Sequence, residues 1–221
     1  MMNPDKMTAA FHAFTLDPFQ EKAIKAVKAG HSVLVSAPTG AGKTVIAEYI
    51  IHKALVDDVK VIYTAPIKAL SNQKYREFQA AFPNRVGIVT GDVSISPEAP
   101  LLIMTTEIFK NRILENRSSF DAYSWIIFDE IHYIDDKDRG TVWEESLIFM
   151  PSHLNFLGLS ATIPNIHEFA RWIRTIHSNE LTVITEHRRP VPLNHYYHCH
   201  GKIFNDINKI KRSGYWKKKR R

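Results

Sequence analysis

Residues Ala37-Pro38-Thr39-Gly40-Ala41-Gly42-Lys43-Thr44 place two glycines, a lysine and a hydroxyl between an apolar run and a helical stretch. Glycines let the backbone turn tightly, so that successive N–H groups point at one anion. A helix starting near Lys43 adds the positive end of its dipole. Lys43 can then reach the β- and γ-phosphates of a nucleoside triphosphate, and the Thr44 hydroxyl can ligate Mg²⁺. The general pattern for such loops has glycine where this chain has Ala37. That difference costs little, because Gly40 and Gly42 sit where the backbone must approach the phosphates most closely.

A phosphate cradle binds a nucleotide; hydrolysis also needs a carboxylate beside the metal. Trp125–Phe128 reads as a buried strand, and Asp129-Glu130-Ile131-His132 follows at its carboxyl end, where open α/β sheets bind their ligands. Two adjacent carboxylates there divide the labour. Asp129 would hold Mg²⁺, often through water, and Glu130 would orient and deprotonate the attacking water.

The elements that must position these groups are legible from local pattern. Asp17-Pro18 reads as a helix start and Gly30 as its stop. Short apolar runs of strand character follow at Ser32–Ala37, Val59–Ala65, Arg85–Val89, Leu101–Met104, Trp125–Phe128, Phe156–Leu159 and Leu181–Thr185. Several are continuous rather than alternating, as strands covered on both faces are. Helical stretches at Lys43–Leu55, Ala69–Ala81, Glu107–Asn116, Thr141–Phe149 and Ile166–Ile176 separate most of them. This alternation predicts an α/β fold with a mostly parallel sheet and helices on both faces. After about Arg189 it decays into a histidine- and tyrosine-rich segment and a basic tail.

Composition sets the class and excludes others. The 221 residues are 44% hydrophobic and 24% charged, an ordinary globular balance. No apolar run approaches a membrane span of ~20 residues, and the first residues lack the apolar core of a signal peptide. Cys199 is the only cysteine, which excludes an internal disulfide and suits a reducing, cytoplasmic setting. The formal charge of +6 belongs to the tail: the eight basic residues from Lys209 to Arg221, with no acidic one among them, leave −2 for residues 1–208. A nucleic-acid partner must therefore be argued from motifs rather than from the isoelectric point.

Asp-Glu-x-His after such a strand, downstream of such a loop, resembles the DExH-box helicases of superfamily 2. Further matches fall in the family's order. Phe19-Gln20 looks like the adenine-reading motif, with Gln20 bonding the base edge and Phe14 as a stacking surface. Ala65–Leu70 with Ser71-Asn72-Gln73 is similar to the first strand-contacting motif, while Thr90-Gly91-Asp92 and Thr105-Thr106-Glu107 resemble the later ones. Ser160-Ala161-Thr162 corresponds to the motif thought to couple nucleotide state to nucleic-acid grip. The wording of Ile67–Tyr75, Asp129–Tyr133, Arg139–Glu145, Leu159–Asn165 and Arg189–Leu193 is closer still to the superkiller-type, exosome-associated RNA helicases.

The resemblance covers about residues 14–200. It implies a RecA-like P-loop NTPase domain over residues 1–190, followed by the start of an inter-domain linker and the basic tail over 191–221. It implies ATP and Mg²⁺ as cofactors. Pro38, Thr39, Gly40, Ala41, Gly42, Lys43 and Thr44 would form the phosphate site; Lys43 would join Asp129 and Glu130 in catalysis, with Thr44 and Asp129 on the metal. His132, Ser160 and Thr162 would couple that site to a single strand of RNA, which DNA fits less well. The strand would be held by Pro66, Lys68, Asn72, Gln73, Thr90, Gly91, Thr105 and Thr106 through sugar and phosphate contacts.

Such helicases place ATP between two RecA-like domains, and the second supplies arginine fingers. Nothing in this sequence resembles that second domain, and Arg188 and Arg189 follow the last strand of the first. The second domain is expected in cis or in trans. Losing a finger typically costs ~10³–10⁵ in turnover, so this chain is expected to bind ATP–Mg²⁺, hydrolyse it slowly and not unwind by itself. Two other readings share the motifs: a non-catalytic, ATP-dependent RNA-binding module driven by the tail, with Trp216 stacking on a base, and the half-motor of a DNA helicase. His195-x-x-His198-Cys199-His200 lacks a C-x₂-C partner for zinc, and no oriented base stands beside Cys199 to make it a nucleophile.

Overall fold

The computed structural model describes residues 15–135 and 140–212. Phe14 lies outside the described residues, as do residues 213–221 of the tail. The expected apolar runs form strands β1 (Ser32–Ser36), β2 (Lys60–Ala65), β3 (Val86–Val89), β5 (Leu101–Thr105), β6 (Tyr123–Phe128), β7 (Asn155–Ser160) and β8 (Leu181–Thr185), and an exposed two-residue strand, β4 (Ser94–Ile95), adds an unforeseen edge. They make one sheet in the order β4-β3-β5-β2-β6-β7-β1-β8. Every neighbouring pair is parallel except β3 with β4.

The helices are α1 (Pro18–Lys28), α2 (Thr44–Val56), α3 (Lys68–Ala81), α4 (Thr106–Glu115), α5 (Gly140–Phe149) and α6 (Ile166–Ile176). Strand residues alternate between two cores, as the two-residue period of a strand requires. Val33, Val35, Val61, Tyr63 and Ile127 pack with Phe19 and Val27 of α1, Ile46 and Ile50 of α2, and Phe78 of α3. Leu34, Ile62, Ile126 and Phe128 pack with Phe109 of α4, Trp143 and Leu147 of α5, and Ile166 and Ile173 of α6. Each such aliphatic or aromatic side chain contributes about 1.5–3 kcal/mol on burial. This two-sided burial explains why the central strands read as continuous apolar runs.

Strand β1 is inserted between β7 and β8, with Val33 opposite both Leu157 and Thr182. The chain divides into two compact units between Arg188 and Arg189. The second unit holds an antiparallel pair, β9 (Tyr197–Cys199) and β10 (Lys202–Phe204), and a short helix, α7 (Ile207–Arg212). The alternating segment Asn194–His198 is therefore strand only from Tyr197. The paired ladder starts there, opposite Phe204, and alternation alone supplies no partner strand to the residues before it. Among the described residues no helix is long and apolar enough to cross a membrane.

Candidate nucleotide site and strand-binding edge

The phosphate loop leaves β1 and enters α2, as its residue types demand. Gly40 and Gly42 take φ values of +84° and +83°, a left-handed backbone that glycine alone adopts freely. A Cβ on Gly42 would stand 2.7 Å from Gln20 Nε2. That close approach is used: Gln20 Nε2 donates to the Gly42 carbonyl at 2.9 Å, and the Asp17 N–H donates to Gln20 Oε1 at 2.8 Å. Gln20, only 5% exposed, thus pins the start of α1 to the loop. Lys43 Nζ donates to the carbonyls of Ala37 at 2.8 Å and Pro38 at 3.2 Å, folding its ammonium over the cradle. Pro38 and Ala41 are buried, Thr39, Gly40 and Gly42 are exposed, and Lys43 and Thr44 are half-buried at the first turn of α2.

Asp129 and Glu130 follow β6 on the same edge. Burial pulls the Lys43 ammonium below its ordinary range, while the carboxylates of Glu130 and Asp129 pull it back up. Glu130 adopts φ +56°, a strained conformation for a non-glycine residue of the kind found at functional sites. This turn leads the chain into the 3₁₀ turn Ile131–Asp135. Desolvation first, and the Asp129 charge second, raise the Glu130 carboxyl above its ordinary range, against His132, Lys43 and Lys74. Asp129 is held by two donors: the Glu130 N–H reaches Oδ1 at 3.0 Å, and the Tyr63 hydroxyl reaches Oδ2 at 2.5 Å. Burial, and then the Asp129 charge, hold the Tyr63 phenol well above its usual value, so it remains a donor.

The expected coupling residues lie beside this centre. His132 Nδ1 stands 3.2 Å from Glu130 Oε2 and 3.5 Å from the Ala161 N–H. Ser160 is fully buried, its carbonyl accepts from the Ala37 N–H at 3.2 Å, and its Oγ finds no partner among the described residues. Thr162 is exposed. Ser36, which the sequence reading passed over, ties this segment down: its Oγ donates to the Ala161 carbonyl at 3.2 Å and accepts from the Ile163 N–H at 3.0 Å. A small hydroxyl closing an apolar strand just before a phosphate loop was the available signal. A lone tyrosine in the run Val59–Ala65 was the signal for Tyr63.

The remaining predicted residues cluster at the carboxyl ends of β2, β5 and β3, which are adjacent in the sheet. Lys68 opens α3 and pairs with Asp92, which follows Gly91 in the loop after β3. Asn72 and Gln73 are exposed on α3, and Gln73 Nε2 bonds Glu77 at 2.8 Å. Pro66 is half-buried ahead of α3. The threonines at this edge are buried. Thr90, Thr105 and Thr106 are 6%, 5% and 2% exposed. The Thr105 hydroxyl caps α4 by accepting from the Ile108 N–H, and Thr106 donates to the Ala65 carbonyl. Hydroxyls so placed are engaged within the domain.

The donor set fits a magnesium nucleotide. The glycine loop leaves room only for backbone beside Gln20, and Thr44 and Asp129 supply hard oxygens of the sort Mg²⁺ takes alongside phosphate oxygens and water. Among the described residues no three His, Cys, Asp or Glu side chains form a protein-only metal site.

This sheet order, with a phosphate loop and an Asp–Glu pair on its carboxyl edge, defines a RecA-like α/β domain. The DEAD/DEAH box helicase family model matches residues 17–169, and the chain belongs to that family. The uncharacterized helicase C17H9.02 of Schizosaccharomyces pombe is 50% identical over 97% of this chain and 21% of its own length. The ATP-dependent RNA helicase mtr4 of the same yeast is 52% identical over 85% of this chain and 17% of its own. For the exosome RNA helicase MTR4 of Homo sapiens the figures are 51%, 84% and 18%. The chain therefore spans 17–21% of the length of these curated relatives. Among solved structures, the Mycobacterium smegmatis helicase Lhr, bound to ssDNA and AMP-PNP, has a TM-score of 0.65 and 26% identity over 80% of this chain and 26% of that one. The DUF1998 helicase MrfA has a TM-score of 0.66 at 20% identity over 83% of this chain and 33% of that one, a likeness of fold.

Proposed function

We propose that this chain is the first RecA-like motor domain of an ATP-dependent RNA helicase, with residues 1–190 binding ATP and residues 191–221 forming a linker and a basic tail. The observation that carries the reading is that the glycine loop with Lys43 follows β1 and the Asp129–Glu130 pair follows β6, so both stand at the carboxyl edge of one parallel sheet. Lys43 leaves the Ala37 and Pro38 carbonyls to hold the β- and γ-phosphates, and the loop amides around Gly40 and Gly42 cradle them. Gln20, which pins the start of α1 to the loop, would read the base edge. Thr44 and Asp129 hold Mg²⁺, which when bound neutralises charge on the phosphates. Glu130, its carboxyl raised by burial, takes the proton of the attacking water.

RNA is favoured over DNA because relatives at about half identity carry RNA helicase in their names. The strand lies across the carboxyl ends of β3, β5 and β2, met by Lys68 and by backbone groups at the starts of α3 and α4. Among the described residues the side chains that act on the Glu130 carboxyl are Asp129, His132, Lys43 and Lys74, and a second RecA-like domain, in cis or in trans, would supply an arginine finger. The lone Cys199 suits a cytoplasmic location.

The test is ATP binding and steady-state hydrolysis by the 221-residue chain, alone and with matched single-stranded RNA or DNA. Binding with slow turnover supports the reading, and brisk turnover by the chain alone removes the second domain from it. Preference for the DNA strand would favour a DNA motor. Loss of all RNA binding on deleting residues 209–221 would favour a tail-driven binding module.

A further inference from the structure

Tyr63 lies on β2 in the core between the sheet and α3, with no exposed surface, and Phe78 meets its ring edge-on at 5.2 Å. A phenylalanine would fill that space equally well. The hydroxyl is the part that core packing does not explain, since a buried hydroxyl is costly unless it is bonded. Its partner is Oδ2 of Asp129. The other oxygen, Oδ1, takes the Glu130 N–H. The carboxylate is therefore fixed by one donor from its own turn and one from the neighbouring strand, and each oxygen keeps a lone pair. The ring is confined by the core, fully buried and in contact with Phe78, on a strand paired on both sides, with Tyr63 opposite Ile103 and Ile127.

We propose that Tyr63 is a positioning residue for the metal: its hydroxyl orients the Asp129 carboxylate toward the Mg²⁺ of the bound nucleotide. The inference rests on the ATP–Mg²⁺ reading above. Tyr63 stands two residues before Ala65, where β2 ends and the segment proposed to meet RNA begins. The same hydroxyl therefore joins the strand-binding half of the edge to its nucleotide half.

Partners that orient a metal-binding side chain typically change metal affinity 10–100-fold when removed. The experiment is a calorimetric titration of ATP into the chain in EDTA and across a series of MgCl₂ concentrations. Tyr63→Phe keeps the ring and its contact with Phe78, and is expected to require roughly 10–100-fold more Mg²⁺ for the same gain in ATP affinity, with metal-free ATP binding unchanged. Tyr63→Met, whose flexible side chain refills the space, gives the same shift and serves as the second variant. Ile127→Val loosens the same core face without touching either donor and retains the wild-type Mg²⁺ dependence. An unaltered Mg²⁺ dependence in folded Tyr63→Phe overturns the inference, as does an equal shift in Ile127→Val. A wild-type chain whose ATP binding ignores Mg²⁺ overturns the underlying reading instead, so the two failures are distinct.

Discussion

Nδ1 of His132 lies 3.2 Å from Oε2 of Glu130, and the Ala161 N–H points at the same nitrogen from 3.5 Å. A protonated Nδ1 donates to Glu130, whereas a bare one accepts from Ala161, so the ring can serve only one side at a time. His132 thus stands between Glu130, the proposed base, and the Ser160–Thr162 turn, the position a coupling residue would occupy. His132→Ala should preserve ATP binding and cut the stimulation of hydrolysis by RNA about 5–30-fold, a coupling of ~1–2 kcal/mol. The ratio of turnover with and without RNA measures it; an unchanged ratio removes His132 from that role.

Glu130 predicts a pH dependence with a definite sign. Its carboxyl is raised above 4.5 by burial and by Asp129. A base must be ionised, so turnover falls as pH drops through that raised value. Stability runs the other way. The contribution is fully present below the ordinary carboxylate value of 4.5 and is lost as pH rises through the higher folded-state value. Glu130→Gln should bind ATP, lack turnover and lose this part of the pH–stability profile. Urea midpoints of both proteins across the mildly acidic range check it, and parallel profiles would refute it.

The Lys43 ammonium is folded over the glycine loop by the Ala37 and Pro38 carbonyls. Lys43→Ala should weaken ATP binding roughly 100-fold, the scale of a charged hydrogen-bond partner lost from an enclosed site, without unfolding the chain. Calorimetry with ATP measures it, and near-normal affinity would place the phosphates elsewhere.

Gly42 and Gln20 form a testable pair. Gly42→Ala meets both a left-handed backbone and a contact of 2.7 Å with Gln20 Nε2. The backbone alone costs about 1–2 kcal/mol. Adding Gln20→Ala removes the contact but not the backbone strain, so the double variant should recover only part of the loss. Additive losses in denaturant unfolding would show that the two residues do not press on each other.

Ser36→Ala should cost about 1–3 kcal/mol, because the buried Ile163 N–H loses its acceptor. A shift in the urea midpoint with an unchanged slope is the expected signature. No shift would mean that the turn re-pairs by itself.

The fold was largely legible because its strands are covered on both faces and its helices have clear starts. Ile166–Ile176 agrees to the residue, and the helix read from Lys43 begins at Thr44. The exposed strand Ser94–Ile95 carries no such signal, since two residues paired to an edge leave almost no apolar trace. In the nucleotide site, glycine and lysine spacing announces the loop, and the structure places it and the Asp129–Glu130 pair at the same edge of the sheet. Tyr63 and Ser36 were missed because each acts across strands, on residues more than sixty positions away along the chain. At Thr105 and Thr106 the residue type alone could not reveal that the hydroxyls cap a helix and bond the neighbouring strand end.

The position of β1 bears on the chain's birth as well as its chemistry. Its five buried residues are translated early, yet both of its neighbours, β7 and β8, come late, and Thr185 closes the last of those ladders opposite Ser36. Pairings so distant along the chain form slowly, and meanwhile the strand is an uncovered apolar segment of the kind chaperones hold. The phosphate loop hangs from that strand, so nucleotide can bind only after the sheet has closed around it. If the proposed ATP site forms only then, binding would certify completed folding, and an ATP-affinity resin should retain finished molecules while passing those arrested before β8.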